Sequence, residues 1–285
     1  MKALCAQCRA AARHRFEVGG YAVHRCARCD LEFVWPLPDD AALARVYEQG
    51  YFSGGGAGYG DYFDREREQV ARKSRERLGA LRSLGVSRGD LLELGAASGF
   101  FLGHARDAGF TVRGVEPAAD ALAAMEPSLR PRVVARLEDL AAGERFDVVA
   151  AFDVLEHLRD PASTLAAVRA RMRPSGIVAV VVPVLGSTTT RLAPRLWDQY
   201  KPPEHLWFWS PRAMRALLAA QGFETVHEAP AWRRPSRFVD LDGTSRAPLT
   251  RLARAVDVLA HRAVVAAVGD VAVTDSMAFY ARVVP

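Results

Sequence analysis

Apolar and polar positions along the chain change period twice. From residue 15 to 24 the pattern is strand-like: R-F-E-V at 15–18, a Gly19-Gly20 pair, then Y-A-V-H at 21–24. Two such runs around a Gly-Gly pair predict a hairpin. From Asp64 to Leu84 the chain is highly charged, with Val70, Leu78, Leu81 and Leu84 at helical spacing and Gly85 after them. That pattern predicts a solvated amphipathic helix. From Asp90 onward, short apolar runs alternate with helical stretches. Strands are predicted at 91–94, 111–115, 133–134, 146–151, 177–182 and 223–226, and helices at 100–108, 118–125, 161–172 and 211–221. Alternation of this kind implies a mainly parallel sheet covered on both faces, with ligands at the carboxyl ends of its strands. A late helix is expected over 250–268, and a last strand at 277–284 pairing antiparallel with 223–226.

Composition changes this picture only in places. Half the 285 residues are apolar and a quarter charged, which excludes extended disorder. No uncharged run reaches the roughly 18 residues of a membrane span, and the first residues have no signal-peptide core. A cytoplasmic protein is therefore expected. Residues 1–29 carry six Lys or Arg against Glu17 and so hold the whole net charge of +5.

All four cysteines lie in the same segment. Cys5, Cys8, Cys26 and Cys29 form two C-x2-C knuckles separated by 17 residues. Two knuckles offer four thiolates, the tetrahedral set that structural zinc prefers. Without a secretion signal, disulfides are disfavoured. A closed set of four leaves no position for catalysis, so the zinc is read as structural, in a ribbon over residues 1–38. Residues 39–88 then read as a lid or linker followed by the amphipathic helix. Its glycine cluster is studded with Tyr47, Tyr51, Tyr59 and Tyr62. Residues 89–285 form the α/β domain.

The first strand of that domain runs into E-L-G-A-A-S-G at 93–99. Gly95, Ala96 and Gly99 let backbone approach a ligand, and the next helix offers free N–H groups. The dinucleotide fingerprint G-x-G-x-x-G is absent. The second strand ends in V-E-P, placing Glu116 21 residues after Gly95, where it can accept both ribose hydroxyls. An adenosine fits such a site, although nicotinamide-dependent enzymes share a glycine turn with an acid.

Two further segments follow in order: F-D-V-L-E-H at 152–157 and R-P-S-G-I at 173–177. Together these motifs resemble the class I S-adenosylmethionine-dependent methyltransferases over roughly residues 89–226. The resemblance implies a Rossmann-like fold with a seven-stranded, mainly parallel sheet and an antiparallel last strand. It implies S-adenosylmethionine as cofactor, with Glu93, Gly95, Ala96 and Gly99 on the methionine side. Glu116 and Pro117 would lie at the ribose, Leu137 or Glu138 at the adenine, and Phe152 with Asp153 beside the sulfonium.

The segment W-D-Q-Y-K-P-P-E-H-L-W-F-W-S-P at 197–211 should cover the carboxyl end of the sheet. Histidine suits proton removal near neutral pH, and an adjacent carboxylate can orient it. Read structurally, the same segment is a core-capping loop. The cysteine module, Y-F-S at 51–53, the α/β core and P-x-E-H-L together resemble bacterial small-molecule methyltransferases, including zinc-containing sugar C-methyltransferases. That resemblance assigns catalytic roles to His205, Glu204 and Tyr51 and points to biosynthesis of secondary or cell-surface molecules. Those sugar enzymes carry a further C-terminal domain, so the wider small-molecule group is the better match.

At i, i+3 and i+4, Asp153, Glu156 and His157 can share a helical face and offer ligands to a cation; the plainer reading is a metal-free turn. Two other functions stay open. One is a zinc-ribbon rRNA or tRNA methyltransferase, which the basic ribbon favours. The neutral α/β domain speaks against nucleic acid, as does the scarcity of Lys, which the chain carries only at 2, 73 and 201. The other is a non-catalytic S-adenosylmethionine-binding scaffold. Arg233, Arg234, Arg237 and Arg246 are read as a solvated face.

Overall fold

A computed structural model of the protein describes residues 3–46, 67–187, 190–191, 194, 197–232 and 275–284. Tyr51, the glycine cluster around it, the helix expected over 250–268 and the four arginines at 233–246 lie outside these residues.

Seven strands form the main sheet, in the order β10-β11-β8-β7-β4-β5-β6. Strand β4 (Gly89–Leu94) is central, with β5 (Phe110–Val115) and β7 (Phe146–Phe152) parallel on either side. Strands β6 (Val133–Val134) and β8 (Met172–Pro183) extend it in parallel. Strand β11 (Ser276–Val283) runs antiparallel to both β8 and β10 (Phe223–Trp232). The expected fold class, including the antiparallel last strand, is what the chain adopts.

Alternate residues of these strands enter different cores. Leu92, Leu94, Val149, Val178 and Val180 pack on one face. Leu91, Val148, Ala150, Ile177 and Val181 pack on the other. A strand buried on both faces needs no polar alternation, which is why 177–182 reads as a continuous apolar run. Helices α2 (Arg67–Ser83), α3 (Phe100–Asp107), α4 (Ala119–Ala124), α5 (Pro161–Ala170) and α6 (Pro211–Ala220) accompany the strands. Helices α5 and α6 begin at D-P and S-P. Asp160 accepts a hydrogen bond from Ser163 N (2.9 Å), Ser210 accepts from Ala213 N (3.1 Å), and proline fills the first turn of each.

The N-terminal segment makes the expected hairpin from β1 (Ala12–Val18) and β2 (Tyr21–Cys26). Its sheet is completed from elsewhere in the chain. Strand β3 (Glu32–Val34) pairs with β2, and also with β9 (Trp207–Phe208) from the aromatic segment. The resulting four-stranded sheet, β1-β2-β3-β9, joins the cysteine module to the α/β domain. Trp209 then bridges to Val184 just beyond β8. The short helix α1 (Asp40–Val46) follows the module.

Candidate active site

Three residues in the turn after β4 adopt left-handed backbone: Gly95 (φ +65°), Ala97 (φ +45°) and Gly99 (φ +75°). Glycine takes this conformation without cost, whereas Ala97 is held there against a penalty of about 1–2 kcal/mol. The hold comes from Glu116. Its Oε2 accepts from Ala97 N (2.8 Å) and its Oε1 from Ala118 N (2.9 Å). The acid at the end of β5 thus shapes the turn after β4, and both its oxygens keep lone pairs for a ligand. Glu116 is 4% exposed, and burial raises its pKa while the two amides oppose that rise.

Gly95 sits where no side chain fits, since a Cβ there would lie 2.6 Å from Val154 Cγ2. Glu93, at the end of β4, is buried, and among the described residues its Oε2 has no hydrogen-bond partner. Burial pushes its pKa well up, with Arg77 pulling the other way. Phe152 stacks edge-on against Phe101, with ring centroids 4.8 Å apart. Asp153 is half exposed with φ +57°. Leu137 is partly buried and Glu138 exposed, within a single 3-10 turn after β6.

Arg77 joins this group from α2, and sequence reasoning missed it. Its guanidinium lies 3.8 Å from the Phe152 ring centroid, and its Nη2 is 3.9 Å from Asp153 Oδ2. It is one of many cations on a charged helix. Its side chain is 12% exposed.

The aromatic segment lies against the residues that follow β7. Leu206 N donates to the Glu156 carbonyl (2.8 Å), and Trp207 Nε1 donates to the Leu158 carbonyl (2.6 Å). His205 and Glu204 come together, with Nε2 and Oε1 3.9 Å apart, too far for a hydrogen bond. His205 Nδ1 is 3.0 Å from the Gln199 carbonyl, and His157 Nδ1 is 3.0 Å from the Glu204 carbonyl. A carbonyl only accepts, so each Nδ1 carries the proton and each lone pair is on Nε2. The two rings meet edge-on, with centroids 4.7 Å apart. Burial lowers the pKa of both, that of His205 strongly, and His157 and Lys201 add to the effect on His205.

Asp153, Glu156 and His157 do not share a helical face. Residues Leu155–His157 form one 3-10 turn, and Asp153 leans toward Arg77. The partner that Glu156 and His157 gain is His205.

Trp197, Trp207 and Trp209 are all buried and act as packing. Under them lies a polar knot. Glu32 is 1% exposed and meets Arg15, Arg25 (3.8 Å) and the Tyr200 hydroxyl, which donates to its Oε2 (2.6 Å). Burial and Glu32 together hold the Tyr200 proton tightly.

The four cysteine sulfurs converge. Cys5–Cys29 is 3.6 Å, Cys8–Cys26 3.4 Å and Cys8–Cys29 3.7 Å. A tetrahedral ion with metal–sulfur bonds of about 2.3 Å spaces its thiolates about 3.8 Å apart. Arg28 N points at Cys26 Sγ (3.4 Å). The hydrogen bond with Cys29 brings the Cys5 thiol down to about 5, against the effect of burial. The donor set therefore fits one tetrahedral metal ion.

A family profile described as Methyltransferase domain matches residues 63–228. The chain belongs to the methyltransferase-domain family, in its S-adenosylmethionine-dependent class. The profile starts before β4, so it takes in the helix that carries Arg77. Several solved structures share the fold. One is 1,6-didemethyltoxoflavin-N1-methyltransferase of Burkholderia thailandensis, with bound 1,6-didemethyltoxoflavin and S-adenosylhomocysteine. It is 17% identical, with TM-score 0.52 over 96% of this chain and 100% of that one. A SAM dependent methyltransferase of Archaeoglobus fulgidus is also 17% identical, with TM-score 0.50 over 78% and 99%. The [4+2]-cyclase SpnF is 19% identical, with TM-score 0.50 over 74% and 81%. No curated protein sequence matches. Among the described residues, no helix is long and apolar enough to cross a membrane.

Proposed function

We propose that this protein transfers the methyl group of S-adenosylmethionine to a small-molecule oxygen, nitrogen or acidic carbon. The observation that carries the reading is Glu116, a buried acid locked to the Gly95–Gly99 turn, with the His205 segment anchored beside the end of β7. Glu116 receives the ribose hydroxyls, and Pro117 shapes its exit. Glu93 and the turn at Gly95, Ala96 and Gly99 hold the methionine end. Leu137 and Glu138 flank the adenine. Phe152 and Asp153 stand beside the sulfonium. When bound, S-adenosylmethionine supplies an electrophilic methyl group, and the protein's share is alignment for in-line attack.

In this reading His205 removes the acceptor's proton. Its Nδ1–H is fixed to a carbonyl and its pKa is held down, so the ring is neutral and its Nε2 can accept. Glu204 and Tyr51 assist at the acceptor. The cysteine cluster holds structural Zn2+, and the ribbon braces the acceptor side through β3 and β9. A small, biosynthetic acceptor accords with the Burkholderia neighbour.

A nucleic-acid acceptor is the second reading, resting on the ribbon's charge. Arg15 turns toward buried Glu32, and Arg25 is engaged by Asp30 and Glu32, which takes part of that charge up within the protein. The test is S-adenosylhomocysteine release from fractionated small metabolites and from total RNA. Turnover with a small-molecule fraction supports the proposal. Tight, salt-sensitive RNA binding with turnover on RNA alone would contradict it. With an acceptor in hand, His205→Ala should cut kcat by about 10²–10⁴-fold and leave cofactor binding intact.

A further inference from the structure

One buried carboxyl group stands without a hydrogen bond: Glu156 is 1% exposed, and among the described residues neither of its oxygens has a hydrogen-bond partner. Leaving such a group unmatched is costly, and a buried carboxylate in this position calls for a cation or a proton. Two imidazoles stand beside it. One ligand atom each from Glu156, His157 and His205 lie within 4.8 Å of one another.

The imidazoles are prepared in a specific way. Both Nδ1–H groups donate to backbone carbonyls, of Glu204 and of Gln199. A second-shell hydrogen bond of this type orients a metal-binding histidine and puts its lone pair on Nε2. The carboxylate and the second imidazole are tied together by backbone, since Leu206 N donates to the Glu156 carbonyl. The charges facing the cluster are Asp153, Glu204 and, opposing them, Lys201. Two acids against one cation leave the surroundings favourable to a positive ion.

We propose that Glu156, His157 and His205 form a second metal site, separate from the cysteine cluster, for one divalent ion of the Zn2+, Co2+ or Ni2+ type. Two imidazoles and one carboxylate suit these borderline ions better than Mg2+ or Ca2+, which take oxygen sets. Ligand atoms on a tetrahedral ion at about 2.1 Å sit about 3.4 Å apart. The cluster, whose ligand atoms lie within 4.8 Å of one another, would have to close by up to about 1.4 Å to reach that spacing. The three ligands come from two chain segments, Leu155–His157 and the loop before β9, so the ion would pin them together. Occupancy would also take the Nε2 lone pair of His205. Because His205 is shared, a bound ion competes with the proton-accepting role assigned above.

Cobalt titration of the full, metal-depleted chain tests this. Two equivalents should bind per chain, one with thiolate-to-cobalt charge transfer and one with d–d bands alone. Glu156→Gln and His157→Gln should each lose the second equivalent and keep the first. A single equivalent in the unmodified chain, or two in Glu156→Gln, overturns the proposal. The unmodified protein gives an independent check that no folding defect can blur. Its cobalt form should show two hyperfine-shifted, exchangeable imidazole N–H resonances, and their absence overturns the site. Calorimetry with S-adenosylhomocysteine on the same samples separates the two readings. Cofactor binding without a second equivalent removes the metal site alone. A second equivalent without cofactor binding removes the methyl-transfer reading alone.

Discussion

Single residues carry the turn after β4, the proposed cofactor turn. Gly95 combines a left-handed φ of +65° with a Cβ position 2.6 Å from Val154 Cγ2. Gly95→Ala should therefore cost about 1–3 kcal/mol of stability, read from chemical denaturation, and weaken cofactor binding as the turn shifts. At Gly99 the obstructing atom is the Cγ of the flexible Met125, at 2.8 Å, so Gly99→Ala should cost less. The order of the two is the check. His205 gives a second prediction at this scale. Its pKa is depressed, so the basic form persists below pH 6.5, and the acid limb of kcat/KM should fall below that value. An acid limb at or above pH 6.5 would remove His205 as the base. The turn itself was legible in the sequence: Gly95 and Gly99 adopt left-handed backbone, and Glu116 hydrogen-bonds into the same turn. Arg77 and the meeting of His157 with His205 were not legible, because each depends on a contact between segments far apart in sequence.

Elements couple the ribbon to the acceptor side. Strand β9 has two residues and finds its partner in β3, more than 170 positions earlier. No local pattern in W-F announces a strand, and the aromatic run equally fits a capping loop. Strand β8 was legible only in its apolar centre, 177–182. Its start at Met172 includes Arg173, which pairs with Asp90 (2.7 Å) and Asp147 (2.8 Å), and polar residues there hide the strand. Strand β10 likewise runs on to Trp232 because β11 covers it. The β3–β9 pairing makes the ribbon a support for the segment that carries His205. Cys8→Ser should lose the ribbon's metal, lower Tm by at least about 5 °C and weaken acceptor binding more than cofactor binding. Equal loss of both ligands would show that the ribbon merely holds up the whole fold. Glu32→Gln probes the same joint without touching the metal, since Glu32 links Arg15 to Tyr200 across it. It should raise the acceptor KM and leave S-adenosylhomocysteine affinity within about 3-fold, because the cofactor turn lies on other strands.

At the scale of the whole molecule, the chain's charge and its chemistry occupy different places. The net +5 lies in the ribbon, and part of it is turned inward onto Glu32. The sheet meanwhile gathers the residues proposed to hold the cofactor at the ends of β4, β5 and β7. The same fold serves a methyltransferase in one neighbour and a cyclase in another, so the site rather than the fold decides the activity. The central claim is that Glu116 and the turn it holds receive S-adenosylmethionine. Calorimetric titration of S-adenosylhomocysteine into the unmodified protein and into Glu116→Ala tests it most directly. Two charge-assisted hydrogen bonds at about 1.5 kcal/mol or more each predict one site per chain, weakened at least about 100-fold in the variant. No binding to the unmodified protein, or equal affinity in Glu116→Ala, would contradict the account.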